Sequence, residues 1–243
     1  MHHVVLDRWS RWSSPLHRAD PRAKIAILLV FLVVLASSRQ GLLPSVTLLA
    51  LFLLSGILAA RLPLAAMLLR AGVVLPFSLA FAGVCWLAGD PARGIELAVK
   101  SYFSALAVLL LVSTTPLPTL LRGLESLGAP RFLLMVAQFL YRYLFVISEE
   151  AQHMAKAASA RGATGGGMAR RPERFRAAAG ALAVLFARSH GRAGEIHRAM
   201  MARGFDGRLP TVALLRFRKV DALWALAGSL TPIALRLAVE RFW

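Results

Sequence analysis

The chain has 243 residues, of which 58% are hydrophobic, more than is usual for a soluble domain. Its formal net charge of +17 would suit a nucleic-acid binder, but the distribution of that charge indicates something else. Seventeen of the 29 basic residues lie between 116 and 222, while the apolar runs 42–60, 71–88 and 101–121 contain none. This pattern is typical of a membrane protein with one large segment outside the lipid. The single cysteine, Cys85, excludes a disulfide within the chain.

Five stretches of the chain are predicted to cross a membrane, because each is bounded by charges, Gly or Pro and approaches the roughly 20 apolar residues needed. In the first stretch, Lys24 is expected to extend its ammonium group to the membrane surface. In the third, Pro76 predicts a kink. The predicted spans are 22–38, 42–60, 68–88, 97–115 and 221–239.

The basic residues of the loops predict the orientation of these spans. Five lie in the first 24 residues and seventeen follow the fourth span, whereas the first and third loops hold almost none. The N-terminus and the long segment are therefore expected in the cytoplasm, and an odd number of spans leaves the C-terminus outside. The polar N-terminus has no apolar run of its own and is not expected to be a cleavable signal peptide. The predicted divisions are 1–115 with four spans, 116–220 as a cytoplasmic domain, and 221–243 as the last span.

The segment 116–220 has apolar residues at helical spacing, interrupted too often by charge to span a membrane. It opens with a short amphipathic helix that ends before Pro130. A second helix of about 30 residues follows, apolar all round in its first half and polar in its second, so it is expected to begin against the membrane domain and end in water. The third helix runs from Pro172 to about Ala202, with an apolar stripe along one side.

The two long helices end in matching sequences, KAASARGATG at 156–165 and RAMMARGFDG at 198–207. An ordinary helix ending explains a single Ala-Arg-Gly, since arginine suits the negative end of the helix dipole and glycine suits the left-handed cap. The matching flanks favour a shared function. An arginine held at the end of a rigid helix can make paired hydrogen bonds to carboxylates or backbone carbonyls of a partner.

Three segments in this order and spacing resemble a known family: SPLHRADPRAKI, FLYRYLFVISEEAQHMAKAASARG and AMMARGFDG. Together they are similar to the transmembrane T component of energy-coupling factor (ECF) transporters, closest to the cobalt/nickel import type, the CbiQ family. The resemblance covers nearly the whole chain. It implies an all-α polytopic membrane protein with about five transmembrane helices. Cytoplasmic coupling helices, two of them long and crossing, are inserted before the last span.

The resemblance also implies which residues act. In that family, each Ala-Arg-Gly arginine inserts into a groove on one of two ATP-binding-cassette ATPase subunits. A separate substrate-binding membrane subunit, metal-specific in the cobalt/nickel type, rests on the apolar faces of the coupling helices. By motif match, the ATPase-coupling residues are Ala160, Arg161, Gly162, Ala202, Arg203 and Gly204. Periodicity alone supplies the expected contact surface for the substrate subunit: Phe132, Met135, Phe139, Phe175, Leu182 and Phe186.

The resemblance further implies that this chain is not an enzyme and has no cofactor or metal of its own, since ATP and Mg²⁺ would bind to the ATPase subunits. A small accessory membrane subunit can also belong to the complex. The implied location is the bacterial inner membrane. The implied cargo is Co²⁺ for cobalamin synthesis, with nickel or a vitamin as alternatives, because the selective ligands would lie on the substrate subunit.

Other short motifs in the sequence suit other functions less well. The stretch GATGGGMARR lacks the lysine spacing and preceding strand of a phosphate loop. Glu150 and His153 form one Glu-x-x-His without the second copy that a di-metal bundle needs, so a solvated helix face is favoured for both. His2 and His3 leave open an N-terminal Ni²⁺ or Cu²⁺ site. A basic membrane-anchored protein that binds nucleic acid or another partner is the alternative of another class, although the aromatic residues of a nucleic-acid binder would be expected among the charges.

Overall fold

The computed structural model describes residues 9, 12, 14–38, 42–161, 171–207 and 219–242. All regular structure in this described part of the chain is helical, which confirms the predicted fold class. The chain divides into two compact units. One comprises residues 1–128 and 214–243, and the other residues 129–213.

Ten α-helices are found among the described residues. In chain order they are α1 Pro15–Arg18, α2 Pro21–Ser37, α3 Leu42–Ala59, α4 Leu64–Ala71, α5 Leu75–Leu87, α6 Pro91–Thr114, α7 Leu117–Ser126, α8 Arg131–Ala160, α9 Arg171–Ala202 and α10 Lys219–Phe242. The first unit contains α1 to α7 and α10, and the second unit contains α8 and α9.

Four helical segments of the described chain are long and apolar enough to cross a membrane. They are Leu64–Leu87, Pro91–Thr114, Arg131–Ala160 and Val220–Ala238, and Thr47–Ala59 is a shorter apolar helix. Three of the five predicted spans thus correspond to segments in this group. The other two predicted spans correspond to α2 and α3. By length and composition α8 also qualifies, although the sequence analysis assigned it to the segment outside the lipid.

The predicted kink of the third span is present as a break in the helix. α4 and α5 are separated by one turn of 3₁₀-helix at Gly72–Val74, and Pro76 occupies the first turn of α5. Proline lacks the N–H that would continue the ladder, so a new first turn is where it is tolerated.

Helix α6 begins six residues before the predicted start at 97. Asp90 caps it by accepting a hydrogen bond from Arg93 N over 3.2 Å, and Pro91 occupies its first turn. Lys100 therefore lies well inside α6. Its ammonium pairs with Glu96 at 2.5 Å and donates to the carbonyl oxygen of Ser38 at 2.6 Å.

The core of the first unit lies among α2, α3, α4 and α6. Phe31, Ile57 and Met67 are its largest fully buried apolar side chains. Helices α5 and α6 approach closely at Gly94, where an added Cβ would lie 2.8 Å from the carbonyl oxygen of Ala82. The outward faces of these helices are strongly apolar, as expected where lipid replaces water as the solvent.

The SPLHRADPRAKI segment folds into a buried polar cluster. Ser14 caps α1, and its Oγ lies 2.7 Å from Nδ1 of His17, whose Nε2 lies 2.9 Å from the carbonyl oxygen of Trp9. Burial lowers the pKa of His17 below its usual value, although the hydrogen bond with Trp9 opposes that shift. Asp20 caps α2 through Arg22 N at 2.9 Å, and its own N–H donates to Oδ1 of Asp221 in α10. The motif is thus a series of helix caps that joins α1, α2 and α10.

The ammonium group of Lys24, expected from the sequence to extend outward, is buried inside the protein. Lys24 is only 7% exposed, and its ammonium donates to the carbonyl oxygen of Thr114 and to Oγ1 of Thr115, both at 3.0 Å. A third contact joins it to the carbonyl oxygen of His17 at 3.4 Å. Thr114 ends α6, so Lys24 satisfies a carbonyl that has no partner within its own helix and lies at the negative end of the helix dipole.

Helix α7 packs on α2 within the first unit. An added Cβ at Gly123 would lie 3.1 Å from Pro21 Cβ and 3.3 Å from Ile25 Cδ1. The sequence analysis placed α7 in the cytoplasmic segment by its amphipathic pattern. That domain boundary stays a prediction.

Candidate coupling site

The two Ala-Arg-Gly motifs lie at the C-terminal ends of α8 and α9, as the sequence predicted. Ala160 and Ala202 are the last helical residues, and the arginine follows directly in each case. Both arginines are exposed. The second unit therefore contains two helices of 30 and 32 residues that each end in an exposed guanidinium group.

At the first motif, Arg161 forms the C-terminal cap of α8. Its N–H donates to the carbonyl oxygen of Ala157 over 3.2 Å, which continues the helical pattern by one residue. Its backbone remains near the helical region, with φ −89° and ψ 10°. The predicted site residue Gly162 lies outside the described residues.

At the second motif, the chain turns away from α9 through a Schellman ending. Gly204 has φ +74°, and its N–H donates to the carbonyl oxygen of Met201 over 3.0 Å. The N–H of Phe205 reaches back to the carbonyl oxygen of Met200 over 3.1 Å. Met200 and Phe205 are half-buried among exposed neighbours, which is the expected arrangement at such an ending. Gly204 therefore ends the helix directly behind Arg203.

Replacing Gly204 with alanine is expected to loosen the last turn of α9. No atom lies within 4 Å of an added Cβ, so the cost is that of the left-handed backbone, about 1 kcal/mol. Hydrogen exchange of the amides around Phe205 should accelerate about fivefold. Gly204→Asn is the matched control, because asparagine tolerates this conformation and should exchange more slowly than the alanine variant. Equal exchange in Gly204→Ala and wild type would contradict this account.

The expected contact surface for the substrate subunit is unevenly exposed. Phe132, Phe175 and Phe186 are each at least 68% exposed, and Leu182 is 65% exposed. Met135 and Phe139 are half-buried, and the Phe139 ring stacks on Tyr143 with centroids 6.2 Å apart. Large exposed apolar side chains of this kind mark contact with lipid or another protein. Their role as a contact surface stays a prediction.

Glu150 and His153, weighed from the sequence as a metal pair, have different environments. His153 is exposed, while Oε1 of Glu150 lies 2.5 Å from Nη1 of Arg188 in α9. The described residues contain no group of three or more His, Cys, Asp or Glu placed to hold a metal ion. His2 and His3 lie outside the described residues. The interaction of Glu150 with Arg188 was missed by sequence reasoning, which treated Glu150 as part of a solvated face.

Comparison with known proteins supports the resemblance. Residues 12–212 match the model of the family described as cobalt transport protein CbiQ. The chain is 29% identical over 232 residues to the energy-coupling factor transporter transmembrane protein EcfT of Bacillus selenitireducens, covering 84% of each chain.

Two further relatives carry the names of the same two kinds of transport protein. EcfT of Acidaminococcus fermentans is 30% identical over 254 residues, covering 92% of each chain. The cobalt transport protein CbiQ of Rhodobacter capsulatus is 31% identical over 119 residues, covering 49% of this chain and 47% of its own. With its helical spans and two arginine-tipped helices, this chain belongs to the CbiQ family and is a multi-pass transmembrane component of an energy-coupling factor transporter.

Proposed function

We propose that this chain couples ATP hydrolysis on two partner ATPase subunits to uptake of a transition-metal ion, Co²⁺, by a separate membrane subunit. The observation that carries the proposal is the pair of exposed arginines at the ends of α8 and α9, in one compact unit. Two equivalent helix ends suit two copies of one ATPase. The chain itself is not an enzyme in this proposal, and ATP and Mg²⁺ bind to the partners.

The proposed coupling is mechanical. ATP binding closes the paired ATPases, whose grooves hold Ala160, Arg161 and Gly162 on one side and Ala202, Arg203 and Gly204 on the other. A guanidinium makes paired hydrogen bonds to carboxylates and carbonyls, so each arginine is a directional attachment as well as a charge. Movement of the two ends changes the angle between α8 and α9. The substrate subunit, resting on their apolar faces, then tilts and releases its ion inward.

The choice of ion rests on the family and one relative. The matching family model and the Rhodobacter capsulatus relative are each described as a cobalt transport protein. The two EcfT relatives, which match over more of the chain, are named only as energy-coupling factor components. Cobalt for cobalamin synthesis is therefore proposed ahead of nickel or a vitamin. The proposed location is the bacterial inner membrane, with α8, α9 and the N-terminus facing the cytoplasm, because the basic residues concentrate there.

Purification and transport together test the proposal. Chain solubilised from its own membranes should carry ATPase subunits and a second membrane subunit, and the reconstituted complex should take up labelled Co²⁺ only with hydrolysable ATP. A complex loaded with a non-hydrolysable ATP analogue is the control for ion leakage. Absence of any ATPase subunit from the purified complex would overturn the proposed function. Uptake of Ni²⁺ or a vitamin in preference to Co²⁺ would overturn only the assignment of the cargo.

A further inference from the structure

Helices α8 and α9 meet at a polar pair, about two-thirds of the way along α8 and near the middle of α9. Nη1 of Arg188 donates to Oε1 of Glu150 over 2.5 Å. The Glu150 side chain is 28% exposed and that of Arg188 is 61% exposed. Glu149 and Glu150 are the only acidic residues in the sequence of α8, so this helix offers few carboxylates to the arginines of α9. The pair therefore favours one particular point of contact.

Apolar packing between these two helices is thin. No described side chain of α9 is buried, and Leu134, far from the pair, is the one buried residue of α8. On α9, Leu185 and Ser189 flank Arg188 and are only half-buried. Interdigitated side chains usually determine where two helices cross. Where they are sparse, a directional charge-assisted hydrogen bond contributes a larger share of that selection.

The pair lies between two predicted contact regions on each helix, the arginine end and the substrate-subunit surface. Glu150 lies eleven residues before Arg161, about 16 Å along the helix, and Arg188 lies fifteen residues before Arg203, about 22 Å. The predicted substrate-subunit surface lies on the other side of the pair in both helices, at Phe132, Met135 and Phe139 of α8 and at Phe175, Leu182 and Phe186 of α9. Each helix thus has one arm for the ATPase and one for the substrate subunit.

We propose that Glu150 and Arg188 are positioning residues that form the pivot between the two coupling helices. The inference rests on the proposed function for its mechanical meaning. The pair sets where α8 and α9 cross, and therefore how far the substrate-subunit arms move when the arginine ends move. A partly exposed ion pair of this kind contributes about 1 kcal/mol or less, a small part of the free energy of unfolding. Its loss should alter the coupling of the motion and leave the helices folded.

Charge reversal tests the geometry without any transport assay. Spin labels at Ala157→Cys and Ala199→Cys, both exposed and beyond the pair, should give one narrow distance distribution in a Cys85→Ser background. Glu150→Arg or Arg188→Glu should broaden it, because like charges would then face each other. The double swap, Glu150→Arg with Arg188→Glu, should restore the narrow distribution. Glu149→Arg is the matched control, since it makes the same charge change at the adjacent exposed position.

Transport by the reconstituted complex supplies the functional measurement. Each single reversal should raise the ATP hydrolysed per ion transported by about threefold while ATPase subunits remain bound, and the swap should return the ratio to that of wild type. The pivot would be overturned if both single variants kept the wild-type spin-label distances and the wild-type ratio of ATP hydrolysed to ions transported. It would also be overturned if the double swap failed to restore the distances or the ratio. If no ATPase binds to the wild type, the proposed function fails, and the spin-label distances still decide on the pivot.

Discussion

Replacing Arg161 and Arg203 together with glutamate is expected, on the proposed function, to separate this chain from the ATPase subunits and to reduce uptake of the proposed cargo, Co²⁺, to background. Both guanidinium groups are exposed at helix ends, so reversal leaves α8 and α9 without a new internal clash. In the complex each glutamate would face acceptors arranged for a cation. Losing a charge-assisted interface contact typically costs 2–5 kcal/mol, so association should weaken by about 1,000-fold or more for the two reversals.

The matched control for this experiment is Lys156→Glu with Arg198→Glu. Both residues are exposed, and each lies five positions before the motif arginine of its helix. The control changes net charge by the same amount on the same two helices. Pull-down of the ATPase subunits and uptake of labelled Co²⁺ should both remain close to wild type in the control. Equal loss in the two double variants would mean that overall positive charge, and not the helix ends, attracts the ATPase.

Lys24→Met is expected to destabilise the first unit by about 3 kcal/mol, because the carbonyl oxygen of Thr114 and Oγ1 of Thr115 lose their charged donor while remaining buried. Methionine keeps most of the volume, so the loss of hydrogen bonds dominates over any cavity. For a chain of this size the change corresponds to a fall in Tm of about 6–12 °C. The measurement is thermal unfolding of the purified chain in detergent.

Lys100→Met provides the comparison. Lys100 also donates to a backbone carbonyl, that of Ser38, and pairs with Glu96. The Lys100 and Glu96 side chains are 19% and 23% exposed, so water can replace part of the lost contacts. Its Tm should fall by less than half as much as that of Lys24→Met. A Lys24→Met variant as stable as wild type would show that the buried ammonium group is dispensable for the fold.

Local signals in the sequence predicted the helices that contain the candidate site. Pro172 marks the start of α9 to within one residue, and the Ala-Arg-Gly motifs mark the ends of both long helices. These predictions succeed because proline near a first turn and glycine behind a last turn act on the backbone within a few residues. The start of α6 was missed even so. Its Asp90-Pro91 cap is visible in the sequence, but residues 91–96 include Arg93 and Glu96, so apolar length alone predicts a start at 97.

Sequence reasoning failed where a polar side chain is buried by a distant part of the chain. Lys24 was expected to extend to the membrane surface, and it caps α6 at Thr114, ninety residues away. Glu150 was expected to be solvated, and it pairs with Arg188 of the next helix. Neither partner is adjacent in sequence, and no periodicity indicates which face of one helix will meet which residue of another.

The sequence by itself determined that this protein is an all-α membrane protein with two long helices ending in the same cationic motif, because apolar length, charge distribution and helix caps are properties of short stretches of chain. Only the tertiary structure decided that Lys24 joins the N-terminal segment to the end of α6, and that Glu150 joins α8 to α9. Both contacts depend on packing between helices, which brings an ammonium or guanidinium group within hydrogen-bonding distance of an acceptor far away in sequence.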